Sequence, residues 1–354
     1  MTLTTPTPSM KQAALAYRQE FADHNETYIH GSRSLHQFDD YESWLEKIAN
    51  VITFQENDRV NSSTYFATDD GEIIGATNIR HTLNDRLRHD GGHIGYSVRP
   101  SQRRKGYATK ILALALEKCY DLGIREVLVT CNKDNIGSAK TIVNNGGVLD
   151  SEFLDENGDM AQRYWITLPT IRPEQPKDHR IVEELTRAAF TKPDRTEHYM
   201  VHQLRKKDGI MSLNFVAEIG TKIVGHIIYS KAHILKADGT KIDVLNFGPL
   251  SVLPEMQKLG IGSALMRYSI EEARKQGHGA ILFFGHSEYY PRFGFAEAKE
   301  FGVTTHEGKN FPAFMAMELV EGYLKNAAGK YIEADIYDDN ANREQAREFD
   351  KSFT

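Results

Sequence analysis

The chain has 354 residues, of which 40% are hydrophobic and 26% are charged, a composition typical of soluble globular proteins and unlike that of disordered or fibrous chains. Its 43 basic and 49 acidic residues give a net charge of −6, which argues against general nucleic-acid binding. Two cysteines exclude a disulfide framework, and the 14 histidines lack metal-ligand spacing. The sequence shows neither a signal peptide nor an apolar run of transmembrane length, so we expect a cytoplasmic protein of two domains.

In chain order, the first predicted elements are a strand, a loop and a helix. The apolar run Ile94–Val98 predicts a strand, and four positive charges crowd the loop at 99–105. A stripe of period 3.6 then predicts a helix that ends before Gly123, and Val127–Val129 predicts the next strand. The stripe consists of Ala108, Ile111, Leu112, Ala115 and Leu116.

The same series returns in the second half of the chain. A helix is predicted from about Asp178, a strand at Val244–Val252 with a Gly-Pro interruption, and another strand at Ala280–Phe284. Between the two strands lies a second helical stripe, closed by Gly277. This stripe consists of Ile261, Leu265, Met266, Ile270 and Ala273.

An internal repeat connects the two series. With an offset of 154 residues, Arg103 aligns with Gln257, Gly106 with Gly260, and Ala108 with Gly262. Each copy of this [Q/R]-x-x-G-x-[G/A] pattern follows a strand and a proline and precedes a helix, which indicates duplication. The boundary between the copies is expected near Leu168–Thr170.

The glycine loop predicts an anion site. A strand, a turn with glycine and a helix place free backbone N–H groups at a helix N-terminus, where they favour a phosphate or pyrophosphate. Neither copy has the spacing of a P-loop or of a dinucleotide fingerprint. A plain structural turn is the competing interpretation, and the duplication argues against it.

Both segments resemble motif A of the GNAT superfamily of acetyl-CoA-dependent N-acetyltransferases. The first half, with Gly95-Tyr96-Ser97-Val98-Arg99-Pro100-Ser101, resembles a group of predicted acetyltransferases. The second half, with Gly248–Val252 and Glu288–Phe295, resembles the YhbS-like group. The resemblance implies an α+β (α/β) fold of two GNAT-like domains, each a mixed, mostly antiparallel sheet flanked by helices. The expected domains are 1–168 and 169–325, followed by an acidic tail, 326–354.

The resemblance also implies a cofactor, acetyl-CoA, whose pyrophosphate the loop holds and whose pantetheine arm enters beside the preceding strand. Backbone N–H groups of that strand, at 96–98 and 250–252, would contact the oxyanion. The implied cofactor-binding residues of the first half are Tyr96, Val98, Arg103, Arg104, Lys105, Gly106, Tyr107, Ala108, Asn135 and Ser138. Those of the second half are Leu250, Val252, Gln257, Lys258, Leu259, Gly260, Ile261, Gly262 and Ser263.

In the family, a tyrosine four residues before the glycine of a Y-x-x-x-G-F segment often protonates the leaving thiolate. This position is Tyr290 in the second half, with Tyr289 beside it as the fallback. Ordinary packing is the competing interpretation of both tyrosines. The corresponding position of the first half is Ile142, which has no hydroxyl. Helix capping competes with cofactor contact at Asn135 and Ser138.

The general base stays open at this stage. Candidates in the second half are Glu218, His226 and Asn246, the last as a holder of water, and candidates in the first half are Glu72, Asp90 and His93. Each of them fits a surface or structural role at least as well.

The expected function is therefore transfer of an acetyl group from acetyl-CoA to a primary amine of a small molecule or peptide, by direct attack in a ternary complex. In the alternative, one half is catalytic and the other is a CoA-binding or structural module. Variable segments at 20–48 and 194–207 would contact the acceptor. We expect no nucleic-acid or membrane partner, and either a monomeric pseudo-dimer or a homodimer. The last 22 residues carry three basic and seven acidic side chains without apolar periodicity, which predicts loose packing.

Overall fold

The computed structural model describes residues 1–50, 60–192 and 194–353. The chain divides into two compact units, Met1–Leu168 and Pro169–Thr354. None of the described helices is long and apolar enough to cross a lipid bilayer.

The first unit contains five described helices and seven strands. The helices are α1 (Lys11–Asp23), α2 (Tyr41–Asn50), α3 (Asp85–His89), α4 (Tyr107–Asp121) and α5 (Ile136–Val143). The strands are β1 (Thr2–Thr4), β2 (Ser62–Asp69), β3 (Glu72–Arg80), β4 (Ile94–Val98), β5 (Glu126–Asn132), β6 (Val148–Leu154) and β7 (Met160–Thr167). The predicted strands at 94–98 and 127–129 and the predicted helix are confirmed.

The strands of the first unit form two antiparallel sheets, with strand orders β1-β2-β3-β4 and β5-β7-β6. One face of the first sheet packs against α1 and α2 around Tyr17, Trp44 and Phe66. Helix α4 covers the other face, where its predicted apolar stripe is buried with Ile79 of β3 and Val129 of β5. Burial of this stripe is the main force that holds α4 against both sheets.

The second unit repeats this plan with more strands. Its described helices are α6 (His179–Ala189), α7 (Glu197–Lys206), α8 (Ile261–Lys275) and α9 (Asp339–Asp350). Its strands are β8 (Thr170–Pro173), β9 (Gly209–Ile219), β10 (Lys222–Leu235), β11 (Lys241–Val252), β12 (Ala280–Phe284), β13 (Ala296–Glu297), β14 (Val303–Thr304), β15 (Phe314–Glu318) and β16 (Gly329–Ile332). The helix and strands predicted for this half are confirmed.

These nine strands form one mixed sheet in which β11 and β12, and also β14 and β16, run parallel. Long antiparallel ladders join β9 to β10 and β10 to β11. Helix α8 lies on one face, where the Tyr229 hydroxyl of β10 hydrogen-bonds Ser269 of α8. The opposite face near β12 buries Val244, Leu282 and Tyr331 together.

The prediction that the acidic C-terminal tail packs loosely is wrong. Strand β16 pairs with β10, and α9 contacts α7 through Phe349, whose ring lies 4.6 Å from that of His202. Asp350 is 2.7 Å from Arg187 and 3.4 Å from Arg195. Since these arginines are distant in sequence, the composition of the tail alone could not reveal that its negative charge has partners.

Candidate functional site

The two glycine loops adopt the same backbone conformation. Arg104 and Lys258 have φ of 63° and 67°, and Gly106 and Gly260, the N-caps of α4 and α8, have φ of 80° and 85°. Left-handed residues two apart turn the chain so that it enters the helix with its first N–H groups free of internal partners. A Cβ at either glycine would meet no atom within 4 Å, so both N-termini open outward.

The residue that begins each motif fastens the loop to the strand before it. The Arg103 Nε donates to the Val98 carbonyl at 3.1 Å, and the Gln257 Nε2 donates to the Val252 carbonyl at 3.2 Å. Side chains of different chemistry thus make the same contact in the two copies. The contact fixes the path from strand end to helix start.

A glycine opposite each strand end is a repeated feature that the sequence reasoning missed. Gly75 pairs with Val98, and Gly225 pairs with Val252. A Cβ at Gly75 would lie 2.5 Å from the Ile111 side chain, and one at Gly225 would lie 2.9 Å from that of Leu265. These glycines let α4 and α8 approach the sheet closely. Their spacing of 150 residues in similar strands is the signal that could have revealed them.

In each unit, the strand that leads into the loop separates from the strand beside it. Strands β11 and β12 are paired at Leu245 and Ile281 alone, so that the remainder of β11 leaves a wedge beside it. In the first unit, β4 and β5 belong to different sheets and meet where the His93 N–H donates to the Leu128 carbonyl at 2.7 Å. A wedge of this kind exposes unpaired strand edges to a long, thin ligand.

The basic side chains of the two loops differ in whether they already have hydrogen-bond or ion-pair partners. Arg103 is paired bidentately with Glu26, at 2.5 and 2.7 Å, and Lys105 donates to Gln102 at 2.9 Å. Arg104 and Lys258 are exposed and make no hydrogen bond or ion pair within the described parts of the chain. Two of the predicted anion contacts are therefore already committed, and one cation in each loop is available.

The other predicted cofactor-binding residues lie in or next to the first turn of α4 or α8. Tyr107, at the start of α4, lies 3.5 Å from a carboxylate oxygen of Asp69, and Ala108 follows it on the partly buried side of that helix. In the second unit, Ile261 and Ser263 are buried at the start of α8, next to the partly exposed Gly262. Leu259 precedes the helix and is partly exposed. These residues shape the first helical turn through size and burial.

In the first unit, the side chains near the wedge are hydrogen-bonded to one another. Asn135 caps α5 by accepting from the Ser138 N–H at 3.0 Å, and the Ser138 hydroxyl lies 2.8 Å from that of Tyr96. Burial raises the pKa of Tyr96 to about 12. Ile142 is fully buried, so the position expected for a proton donor is part of the core. The side-chain oxygen of Asn135 is therefore used to cap α5. Its amide nitrogen makes no hydrogen bond to a described residue.

In the second unit, both candidate tyrosines lie on the α8 face of the wedge. The Tyr289 hydroxyl is 3.2 Å from the Ser263 hydroxyl in the first turn of α8. Tyr290 packs edge-on against Phe283 of β12 at 4.5 Å and lies 5.8 Å from Phe247 of β11, so that its ring bridges the two diverging strands. Its hydroxyl makes no hydrogen bond within the described residues, and burial raises its pKa further above the ordinary value. Tyr290 is therefore a neutral phenol with an available proton.

The charged candidates for the general base are mostly engaged elsewhere. Glu218 is paired with Arg172 at 2.5 Å, and Glu72 with Arg99 at 2.5 Å. His226 is fully buried with its Nε2 2.8 Å from Asn214, and burial lowers its pKa to about 4.

The two remaining candidates of the first unit also have structural contacts. Burial likewise lowers the pKa of His93 to about 4, and its Nδ1 accepts from the Leu128 N–H at 2.9 Å, so that His93 joins β4 to β5. The Asp90 carboxylate is 3.5 Å from the Thr130 hydroxyl. Among the described residues, no group of three or more His, Cys, Asp or Glu side chains is placed to hold a metal ion.

Asn246 has a partner that the sequence reasoning overlooked. It is buried on β11 directly after the last residue paired with β12, and its Nδ2 donates to the Glu333 carboxylate at 2.9 Å. Glu333 follows β16, inside the segment that was expected to be a loose tail. No motif surrounds it, so only the fold brings it to the wedge.

Comparison with known proteins identifies the family. A sequence model described as an acetyltransferase (GNAT) domain matches residues 1–148, and a second model with the same description matches residues 212–297. Together the matches span about two thirds of the chain. The chain belongs to the GNAT family of acetyltransferases. It carries two GNAT domains in tandem, as the repeat predicted.

Individual relatives of these GNAT domains are more distant. The uncharacterized N-acetyltransferase YjhQ of Escherichia coli (strain K12) is 38% identical over 85 residues, which cover 24% of this chain and 46% of that protein. The chain thus spans about half the length of this curated relative. Among solved structures, YhbS from Escherichia coli in complex with CoA has a TM-score of 0.44 at 22% identity, covering 48% of this chain and 92% of that one. A GNAT acetyltransferase from Brucella melitensis in complex with acetyl-CoA has a TM-score of 0.38 at 27% identity, covering 48% and 98%.

Proposed function

We propose that the second unit transfers the acetyl group of acetyl-CoA to a primary amine of a small molecule or peptide, by direct attack in a ternary complex. The observation that carries this proposal is the wedge between β11 and β12, which leads into the loop with left-handed residues at Lys258 and Gly260. Membership of the GNAT family supports the reaction type.

The loop suits the pyrophosphate of CoA on three counts. The N-terminus of α8 presents backbone N–H groups and the positive end of the helix dipole. Gly260 leaves open space in front of them, and Lys258 adds a positive charge that no described carboxylate neutralises. The Gln257 contact with Val252 holds the loop in this shape before a ligand arrives.

The wedge suits the rest of the cofactor. The edge of β11 at 250–252 is unpaired with β12. Apart from the Val252 carbonyl, which accepts from Gln257, the polar groups on this edge are available to the amides of the pantetheine arm and to the charge that develops on the thioester oxygen. Bound acetyl-CoA would supply an activated acyl group whose leaving group is a thiolate. Tyr290 spans the wedge, and no described residue hydrogen-bonds its phenol, so we assign it the role of protonating that thiolate, with Tyr289 as the fallback.

The first unit is the basis of a second candidate function, in which it binds CoA or supports the structure without catalysing. Two observations favour this reading: Ile142 is buried where a hydroxyl is expected, and Arg103 is occupied by Glu26. The shared loop geometry still favours anion binding in this unit. If the second unit alone catalyses, the Tyr290→Ala variant should lose all turnover.

The test is an acetylation assay with acetyl-CoA and a panel of primary amines. CoA release is followed with a thiol reagent, and mass spectrometry of the amine detects the added acetyl group. The proposal expects amine-dependent CoA release by the full chain that is lost in Tyr290→Ala. Acetyl-CoA binding without transfer to any amine would contradict the proposed reaction. Full turnover in Tyr290→Ala would instead assign the reaction to the first unit.

A further inference from the structure

The wedge of the second unit has two faces, and the residues assigned so far occupy one of them. Phe247 and Tyr290 lie on the α8 face. Since consecutive strand residues point to opposite faces, Asn246 points to the other face, together with Val244. That face carries Glu333 within hydrogen-bonding distance of Asn246.

Glu333 lies beside β11 at the point where β11 begins to separate from β12. On one side it accepts from Asn246, which directly follows the paired residue Leu245. On the other side the Tyr331 hydroxyl donates to the Leu282 carbonyl of β12 at 2.9 Å and is also within hydrogen-bonding reach of the Glu333 carboxyl. The carboxyl is thus bound directly to β11 at the apex of the wedge, and its neighbour Tyr331 is bound to β12.

The charge of Glu333 is not compensated by a cation among the described residues. It forms no ion pair with any residue that the structure describes, and it is half-buried. The titratable groups that face it are the phenols of Tyr331 and Tyr337, and burial raises the pKa of both. A carboxylate surrounded by neutral groups attracts a cation, and the ammonium group of an amine acceptor is one.

We propose that Glu333 is the general base of the second unit and that it receives the proton of the acceptor's ammonium group on the face of the wedge opposite Tyr290. This inference rests on the proposed acetyl transfer. The Glu333 carboxylate takes a proton from R–NH₃⁺, and the neutral amine nitrogen then forms a bond to the acetyl carbon while the carbon–sulfur bond breaks. The nitrogen gives up its second proton to solvent as the amide forms. Tyr290 gives its proton to the departing thiolate and regains one from solvent, and Glu333 releases its proton to solvent.

The surroundings of Glu333 raise its pKa to a value that suits a general base. Burial raises its pKa to about 7, although the Asn246 and Tyr331 hydrogen bonds act in the opposite direction. A base is most effective when its pKa lies near the working pH, because about half of it is then ionised and it still holds a proton well. The other acidic candidate of this unit, Glu218, is paired with Arg172.

The face that carries Glu333 also suggests a suitable probe amine. Phe284, at the end of β12, and Phe311 are stacked at 5.6 Å and are each more than 40% exposed. Phe284 also contacts the Tyr331 ring at 5.9 Å. A primary alkylamine that carries an aromatic ring, such as 2-phenylethylamine, can place its ring on this pair and its ammonium group near Glu333. It therefore belongs in the amine panel.

The test compares pH–rate profiles of the full chain, Glu333→Gln and Asn246→Ala with the best amine of the panel. We expect Glu333→Gln to lower kcat by about 10²-fold or more and to lose the acid limb near pH 7. In Asn246→Ala the acid limb should move to higher pH, because a hydrogen bond that favours the carboxylate is gone. Asp335→Asn, an exposed acid two residues away, serves as the control and should match the unaltered chain.

A second measurement requires neither cofactor nor amine. The infrared carboxyl band of Glu333, identified as the difference between the full chain and Glu333→Gln, should titrate near pH 7. Unchanged rate and pH profile in Glu333→Gln would overturn the proposal, as would titration of the band near pH 4. Failure of the proposed function would be recognised separately, because the unaltered chain itself would then transfer no acetyl group.

Discussion

Gln257 donates its side-chain amide to the carbonyl of Val252 at 3.2 Å, and Arg103 makes the equivalent bond to Val98 in the other half of the chain. Two chemically different side chains therefore close the same five-residue loop. The shared requirement is a donor that reaches back to the end of the strand. Any charge that the side chain brings to a phosphate is secondary to this contact, at least for Arg103, whose guanidinium is also bound to Glu26.

Replacing Gln257 by alanine should weaken acetyl-CoA binding. The loop would lose one hydrogen bond that shapes the anion site, worth about 0.5–1.5 kcal/mol, so the dissociation constant should rise about three- to tenfold. Isothermal titration calorimetry measures this directly. The control is Glu255→Ala, which removes only an exposed ion pair with Lys222 from the same loop. Equal effects of the two variants would contradict the role of Gln257.

The two tyrosines should separate binding from chemistry. Tyr290→Phe keeps the ring between Phe247 and Phe283 but removes the phenol proton, so kcat should fall roughly 10²-fold while acetyl-CoA affinity stays unchanged. Tyr289→Phe loses the contact with Ser263 and should change affinity more than kcat. Steady-state kinetics with calorimetry distinguish them. A larger kcat loss in Tyr289→Phe would transfer the acid role to that residue.

Glu333 should make stability depend on pH. Its pKa is about 7 in the folded chain and 4.5 in an ordinary environment, so the folded state binds the proton more tightly and stability falls as pH rises from about 4.5 to 7. Above pH 7 the buried charge destabilises the fold. Glu333→Gln should therefore gain on the order of 1–2 kcal/mol at pH 8 and almost nothing at pH 4.5, given partial screening by solvent.

Urea unfolding of the two proteins at both pH values provides the measurement, with Asp335→Asn as the matched acid variant. A gain of the same size at pH 4.5 and pH 8 would show that the effect does not come from titration of Glu333. A loss at pH 8 would mean that the carboxylate is stabilised in the fold, contrary to its burial without a cation.

The C-terminal helix should contribute to the stability of the second unit. Phe349 packs against His198 and His202 of α7, and Asp350 is bound by Arg187 of α6. Phe349→Ala should cost about 1–2 kcal/mol, less than a fully buried phenylalanine would, because the side chain is half-buried. Thermal unfolding measures this cost, and Glu348→Ala on the exposed side of α9 serves as the control. No difference between them would restore the expectation of a loose tail.

The sequence predicted the loops well because their signals are local. Proline after the strand, glycine at the helix cap and an apolar stripe of helical period each act within a few residues, so pattern and structure agree at α4 and α8. The repetition of the pattern then indicated that the two loops are more than isolated structural turns.

The rest of the site depends on contacts distant in sequence, which the patterns do not contain. Glu333 reaches Asn246 across 87 residues because β16 joins the far edge of β10, and Asp350 reaches Arg187 across 163 residues. Acidic composition alone favoured a solvated tail. It could not indicate that one carboxylate lies at the apex of a wedge and that another holds a helix in place.

The glycine loop of the second unit is expected to hold acetyl-CoA, and calorimetric titration of Gly260→Asp with acetyl-CoA provides the test. The new side chain meets open space, and its carboxylate should repel the pyrophosphate; the strain of a left-handed aspartate is the same in the control variant. Gly277→Asp, at the other end of α8 with φ of 79° and equally open surroundings, is the matched control. Gly106→Asp examines the first unit in the same way.

Gly260→Asp should lose a binding site for acetyl-CoA that Gly277→Asp retains. A second site that is lost only in Gly106→Asp would mean that both units bind the cofactor. Undiminished binding in Gly260→Asp, or no binding by the unaltered chain, would show that this loop does not hold acetyl-CoA.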